Sequence, residues 1–163
     1  MLAGGNGAGF NWGQSDWLDL ARALAELDEP LLLTSSRRTG AAAEVWLCSA
    51  LSGSRLAKAV WWSRDPQPVV GEFLRQSNLV VCTADSMSMI TEVVAAGRPL
   101  LVVLPRQSKP EQRYLDQLRR LESAGYLRLL NLTSETKLPK RLDNWRPYAM
   151  QSGDWLNDVF KAE

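Results

Sequence analysis

Between Val80 and Pro105 an otherwise apolar unit carries Thr83, Asp85, Ser86, Ser88 and Glu92 around its one turn. With Asp85 or Ser86 as N-cap, a helical step of about 100° puts Met87, Ile90, Val93 and Val94 on one arc and Ser88, Thr91, Glu92 and Ala95 on the other. The first arc is expected to pack on a sheet. On the second, Ser86 and Ser88, together with the free amides of the first turn, suit phosphate oxygens. Glu92 lies one turn further along, unfavourable for phosphate but able to accept from a pair of ribose hydroxyls. Hydroxyls followed by a carboxylate is the order that the diphosphate and ribose of a nucleotide require. The alternative is plainer: Asp85 and Ser88 cap the helix, and Glu92 is solvated.

Two other turns carry polar residues of the same kind. "GGNGAG", Gly4 to Gly9, follows the short apolar start "MLA". Glycines there let a backbone approach a diphosphate closely, with Gly4, Gly5 and Asn6 nearest to it. A nicotinamide fingerprint fits poorly, because Phe10 stands where a third glycine belongs, and no Gly-Lys-Ser/Thr completes a Walker loop. The second turn, "TSSRRTG", places Ser36, Arg37, Arg38 and Thr39 at a helix start. A dinucleotide enzyme that selects a free ribose shows an acid in this neighbourhood; two arginines and hydroxyls suit a phosphate or carboxylate instead. Solvated arginines beside a Thr39 cap are the simpler account. Trp61 and Trp62 are read as core and edge residues, with stacking on a base as the alternative.

What is absent narrows the chemistry. The 163 residues contain no histidine, which removes the commonest general base and the commonest transition-metal ligand. No carboxylate pair marks a metal site, and no metal or cofactor is called for. Cys48 and Cys82 stand in apolar surroundings without metal-ligand spacing, so both are expected to be reduced core residues. Nineteen basic against eighteen acidic residues leave no global field for nucleic acid or an anionic membrane. No apolar run approaches the roughly 20 residues of a membrane span, so a soluble, cytoplasmic protein is expected.

The segments that must hold these turns alternate. "PLLLTSS", "LAKAVWWS", "NLVVCTA", "PLLVVLP" and "YLRLLNL" read as strands after the short first one. Helices are expected in "SDWLDLARALAELDE", capped by Ser15 or Asp16, in "AAAEVWLCSALSG", in a short piece after "DPQP", in Ser86 to Ala96, in "EQRYLDQLRRLESAG" and near Trp155 to Phe160. Strands alternating with helices, several of them continuously apolar, predict an α/β fold: a Rossmann-like, doubly wound parallel sheet of six strands in one domain over residues 1–163. In such sheets ligands sit beyond the carboxyl ends of the strands, where strand order reverses. Met1 to Ala3 is short for a central strand, whose usual length is about five or six residues. That shortness leaves two readings open: a fragment of a longer protein, or an ordinary start.

The stretch "DSMSMITEVVAAGRPLLVVLP" resembles the C-terminal nucleotide-sugar-binding half of GT-B glycosyltransferases. With "GGNGAGFNW" and "TSSRRTG" it is similar to the mitochondrial-fission (elongated-mitochondria) family, whose bacterial members carry labels as nucleoside-diphosphate-sugar epimerases. The resemblance covers most of Met1 to Pro105. It implies a nucleotide-sugar-binding lobe with Glu92 as ribose acceptor and Gly4, Gly5, Ser86 and Ser88 near the diphosphate. It also implies an N-terminal lobe missing from this chain, which would carry the acceptor and the catalytic base, so that this lobe alone is not a competent glycosyltransferase. The epimerase label finds no support, since Leu118 stands where a Tyr-x-x-x-Lys pair from Tyr114 would need lysine. Two other functions stay open: a non-catalytic adaptor on the same fold, and an NADP-type binding domain suggested by Arg37 and Arg38.

Overall fold

The computed structural model describes residues 1–147, so the expected helix near Trp155 lies outside the described residues. Predominantly apolar segments form the strands β1 (Leu2–Ala3), β3 (Leu31–Ser35), β5 (Val80–Thr83) and β6 (Leu100–Leu104), while the edge strands β4 (Leu56–Val60) and β8 (Arg128–Asn131) carry Lys58, Arg128 and Asn131. They pair in parallel in the order β4-β3-β1-β5-β6-β8. Counting these strands along the chain, the order is third, second, first, fourth, fifth, sixth, the Rossmann-like doubly wound arrangement. The chain winds outward from β1 to one edge, returns across it, and winds outward again from β5.

Among the described residues five helices cover the two faces: α1 (Gln14–Ala25), α2 (Ala41–Ala50), α3 (Val70–Gln76), α4 (Met87–Ala95) and α5 (Gln112–Ser123). Side chains alternate across the pleat. Ala3, Leu33, Val81, Leu101 and Val103 meet Trp17, Leu20 and Leu24 of α1 and Leu47 of α2. Leu2, Val80, Cys82, Leu100 and Val102 meet Leu74 of α3, Ile90, Val93 and Val94 of α4, and Leu118 and Leu121 of α5. Every residue of β5 and β6 is buried, which explains why their sequences show no polar alternation. The apolar arc expected for α4 is the buried one, and Ser88 and Glu92 of the opposite arc are exposed.

The helix ends follow capping chemistry, with one correction. Helix α1 begins earlier than expected: Gly13 is its N-cap, and Asp16, in its first turn, accepts from Gly13 N at 3.0 Å. Asp16 therefore works from inside the helix, the carboxylate half of a capping box, and Ser15 is not the cap. Gly97 (φ 62°) and Gly125 (φ 81°) end α4 and α5 in the left-handed region, as their positions predict. In each, the following residue closes the motif, Arg98 N to Val93 O at 3.3 Å and Tyr126 N to Leu121 O at 3.0 Å.

The first strand is as short as its sequence, yet it is central. Two residues suffice because the bonds continue beyond it: Thr34 N donates to Met1 O at 3.1 Å and Ser36 N to Ala3 O at 2.9 Å. A further feature has no counterpart in the sequence pattern. Strands β2 (Phe10–Asn11) and β7 (Gln107–Ser108) form an antiparallel ribbon that ties the turn after β1 to the segment after β6. Lys109 N donates to Gly9 O at 2.7 Å and continues the tie.

Candidate functional site

Because winding reverses between β1 and β5, the turns that follow these two strands lie side by side at the carboxyl edge. Gly4 N donates to Thr83 Oγ1 at 2.7 Å, and Thr83 Oγ1 donates to Asp85 Oδ1 at 2.6 Å. A β-carbon on Gly4 would overlap the Asp85 carboxylate, so this glycine is required by close approach. The turn after β3 closes over the same point. Ser36 Oγ donates to Gly4 O at 3.3 Å, and Thr39 Oγ1 donates to Ala3 O at 2.8 Å while accepting from Ser36 N at 3.0 Å. Arg38 then reaches across the glycine turn to Asp85, with Nη2 2.9 Å from Oδ2.

The geometry sorts the sequence candidates by what each one touches. Asp85 is fully buried and held by Thr83 and Arg38. Thr83 is buried as well, joining Gly4 to Asp85. Asn6 is exposed, and its Oδ1 accepts from Trp12 N at 2.7 Å, so it staples its own loop. Ser86, not Asp85, is the N-cap of α4; its Oγ accepts from Met89 N at 3.4 Å and lies 3.1 Å from Ser88 Oγ. Thr39, a helix cap in the simpler account, instead bonds back to β1, and Gly40 is the N-cap of α2. Ser36 is half-buried on Gly4, Arg37 is exposed, and Gly5 is packed against the backbone of Arg38. Glycine turn, Arg38, Asp85 and the start of α4 are thus brought together, while Glu92 stands exposed one turn along the helix.

Sequence reasoning passed over one wall of this region. Tyr114, in the first turn of α5, donates its hydroxyl to Ala84 O at 2.7 Å and sets its ring edge-on to Phe10, centroids 5.7 Å apart. Burial, followed by the charge of Asp85, raises the Tyr114 pKa, so the phenol keeps its proton and acts as a donor. With Ala8, Gly9, Lys109 and Glu111, Tyr114 lines a cleft of about 370 Å³ beside the glycine turn. The only sequence signal for it was the polar "RQSK" after an apolar strand, on the edge where ligands bind. Arg106, also in that segment, is anchored on Asp16 at 2.9 Å and on Asp19, and the Asp19 bond is the main cause of its raised pKa.

A second cavity, of about 270 Å³, opens at the amino ends of the strands among Leu24, Leu27, Leu31, Leu79 and Lys140, far from these groups in the fold. Burial pushes the Cys82 thiol up, so it is inert, and Cys48 is half-buried; neither forms a disulfide. Trp61 packs in the core and Trp62 is exposed after β4. Glu44, buried on α2, accepts from Ser35 Oγ at 2.6 Å and from Ser63 N at 3.2 Å, which fixes the loop that presents Trp62. Among the described residues no cluster of His, Cys, Asp or Glu could hold a metal, and no helix is long and apolar enough to cross a membrane.

Comparison with known families adds one finding. The family model described as mitochondrial fission ELM1 matches residues 1–152. The chain belongs to this family. In this chain all three polar turns that carried the resemblance converge on the carboxyl edge between β1 and β5. No curated protein and no solved structure shows significant similarity to the chain.

Proposed function

We propose that the crevice at the reversal point binds the diphosphate and ribose of a nucleoside-diphosphate sugar. The observation that carries this reading is the meeting of the glycine turn, Arg38 and the start of α4 at the carboxyl edge of the sheet. Backbone amides and a guanidinium there can take phosphate oxygens, and the positive end of the α4 dipole adds to them. Glu92, exposed one turn along α4, is the group for the ribose hydroxyls. The work of such a lobe is positioning and stabilisation of the leaving diphosphate, with no metal called for. A glycosyl transfer would take its acceptor and base from a second lobe.

The test is thermal stabilisation by uridine, cytidine, guanosine and thymidine diphosphates and their sugars, with NADP alongside. At about a hundred times its dissociation constant, a nucleotide that binds only the folded chain adds about 2.7 kcal/mol, or roughly 5 to 10 °C for a chain of this size. A shift with NADP alone would replace this reading with a dinucleotide one. No shift with any of them would favour an interaction module built on the same frame.

Glu92 gives the reading a local check. It is exposed and makes no side-chain bond among the described residues, so Glu92→Gln is expected to leave the ligand-free stability within about 0.5 kcal/mol of the parent. Nucleoside-diphosphate affinity is expected to fall by about 1 to 3 kcal/mol, as loss of a charged acceptor implies. Unchanged affinity by calorimetry removes Glu92 from the site.

A further inference from the structure

We infer that Asp85 is a positioning residue: from beneath the glycine turn it holds Arg38 in the pose that receives the diphosphate, and it does not touch the ligand itself. This inference rests on the reading of the crevice given above. The Asp85 side chain has no exposed surface, and Oδ1 is taken by Thr83. Oδ2 makes no hydrogen bond among the described residues, and its one charged neighbour is Arg38 Nη2 at 2.9 Å. A buried carboxylate is costly unless it is paired, and this one is paired across the sheet.

Arg38 is the mirror case, 44% exposed and tied at one nitrogen. The rest of its head group lies along the glycine turn: Nε is 3.5 Å, and Cδ and Cζ 3.6 Å, from where a β-carbon on Gly7 would stand. Arginine recognises phosphate through a planar fork, and a fork fixed at one tine loses less freedom when the other engages. The two residues come from the turns after β3 and β5, on opposite sides of β1. Their contact therefore braces the crevice from both halves of the sheet.

Charge and positioning predict opposite signs, which makes the inference decidable. Asp85 bears the same charge as a phosphate, so if it acted only through its field, the neutral Asp85→Asn would bind diphosphates more tightly. If it positions Arg38, Asp85→Asn releases the guanidinium, and binding weakens. The experiment is calorimetry of the chain, Asp85→Asn, Arg38→Lys and the double variant. The probes are inorganic pyrophosphate, the four nucleoside diphosphates named above and the corresponding nucleosides.

Diphosphate affinity is expected to fall about tenfold in Asp85→Asn, nucleoside affinity is expected to stay unchanged, and the double variant is expected to be no weaker than Arg38→Lys alone. Equal or tighter diphosphate binding by Asp85→Asn, or additive losses, overturns the positioning role and leaves the nucleotide reading standing. A parent chain that binds neither pyrophosphate nor any diphosphate overturns both. If Asp85→Asn does not fold, nitrogen-15 relaxation of Arg38 Nε in the unliganded parent decides: an ordered guanidinium is expected, and a freely reorienting one overturns the inference.

Discussion

Alanine at position 5 is expected to cost about 3 kcal/mol or more, near the upper end of what overpacking does. The added carbon would overlap the carbonyl of Arg38, and Thr39 N would lie 2.8 Å from it. These are backbone atoms without a rotamer to change. The turn cannot retreat, because Ser36 N is bonded to Ala3 O at 2.9 Å and Thr39 Oγ1 to the same oxygen at 2.8 Å. Urea unfolding measures the loss, with Gly53→Ala as control. Nothing lies within 4 Å of a β-carbon there, so the control is expected to be neutral or stabilising by about 0.4 to 1 kcal/mol. A Gly5→Ala chain as stable as that control would show that the two turns do not touch.

Thr83→Val keeps the shape and removes a hydroxyl that serves two partners at once, accepting from Gly4 N at 2.7 Å and donating to Asp85 Oδ1 at 2.6 Å. The site is fully buried, so water does not replace either bond. Each orphaned group costs about 1 to 3 kcal/mol, and the carboxylate stands at the upper end, so a loss of about 2 to 5 kcal/mol is expected. Thr83→Ser, which keeps the hydroxyl, is expected to recover most of it. Equal losses in the two variants would assign the effect to the methyl group and not to the bonds.

These two positions also show what a sequence can and cannot reveal. Strands β5 and β6 were legible because each is a mainly apolar run between turn residues, and parallel strands covered on both faces need little else. The apolar arc of α4 followed from its helical spacing. The start of α1 was misread because Asp16 looks like a cap from outside the helix, while its carboxylate reaches back to Gly13 from within. The β2–β7 ribbon escaped notice because two-residue strands have no period. At the candidate site, residue types pointed to three turns that the fold brings to one edge, but partners did not follow from types. Nothing in "RRT" or "TADS" says that Arg38 meets Asp85, since that contact is made by the order of strands between them.

The β2–β7 ribbon would have a kinetic consequence for the nucleotide proposed to bind beside it. A rim already stitched to its neighbour surrenders little motional freedom when a guest arrives, so capture is expected at the pace of collision, without waiting for a rare opening. Departure rates, more than arrival rates, would then distinguish one guest from another.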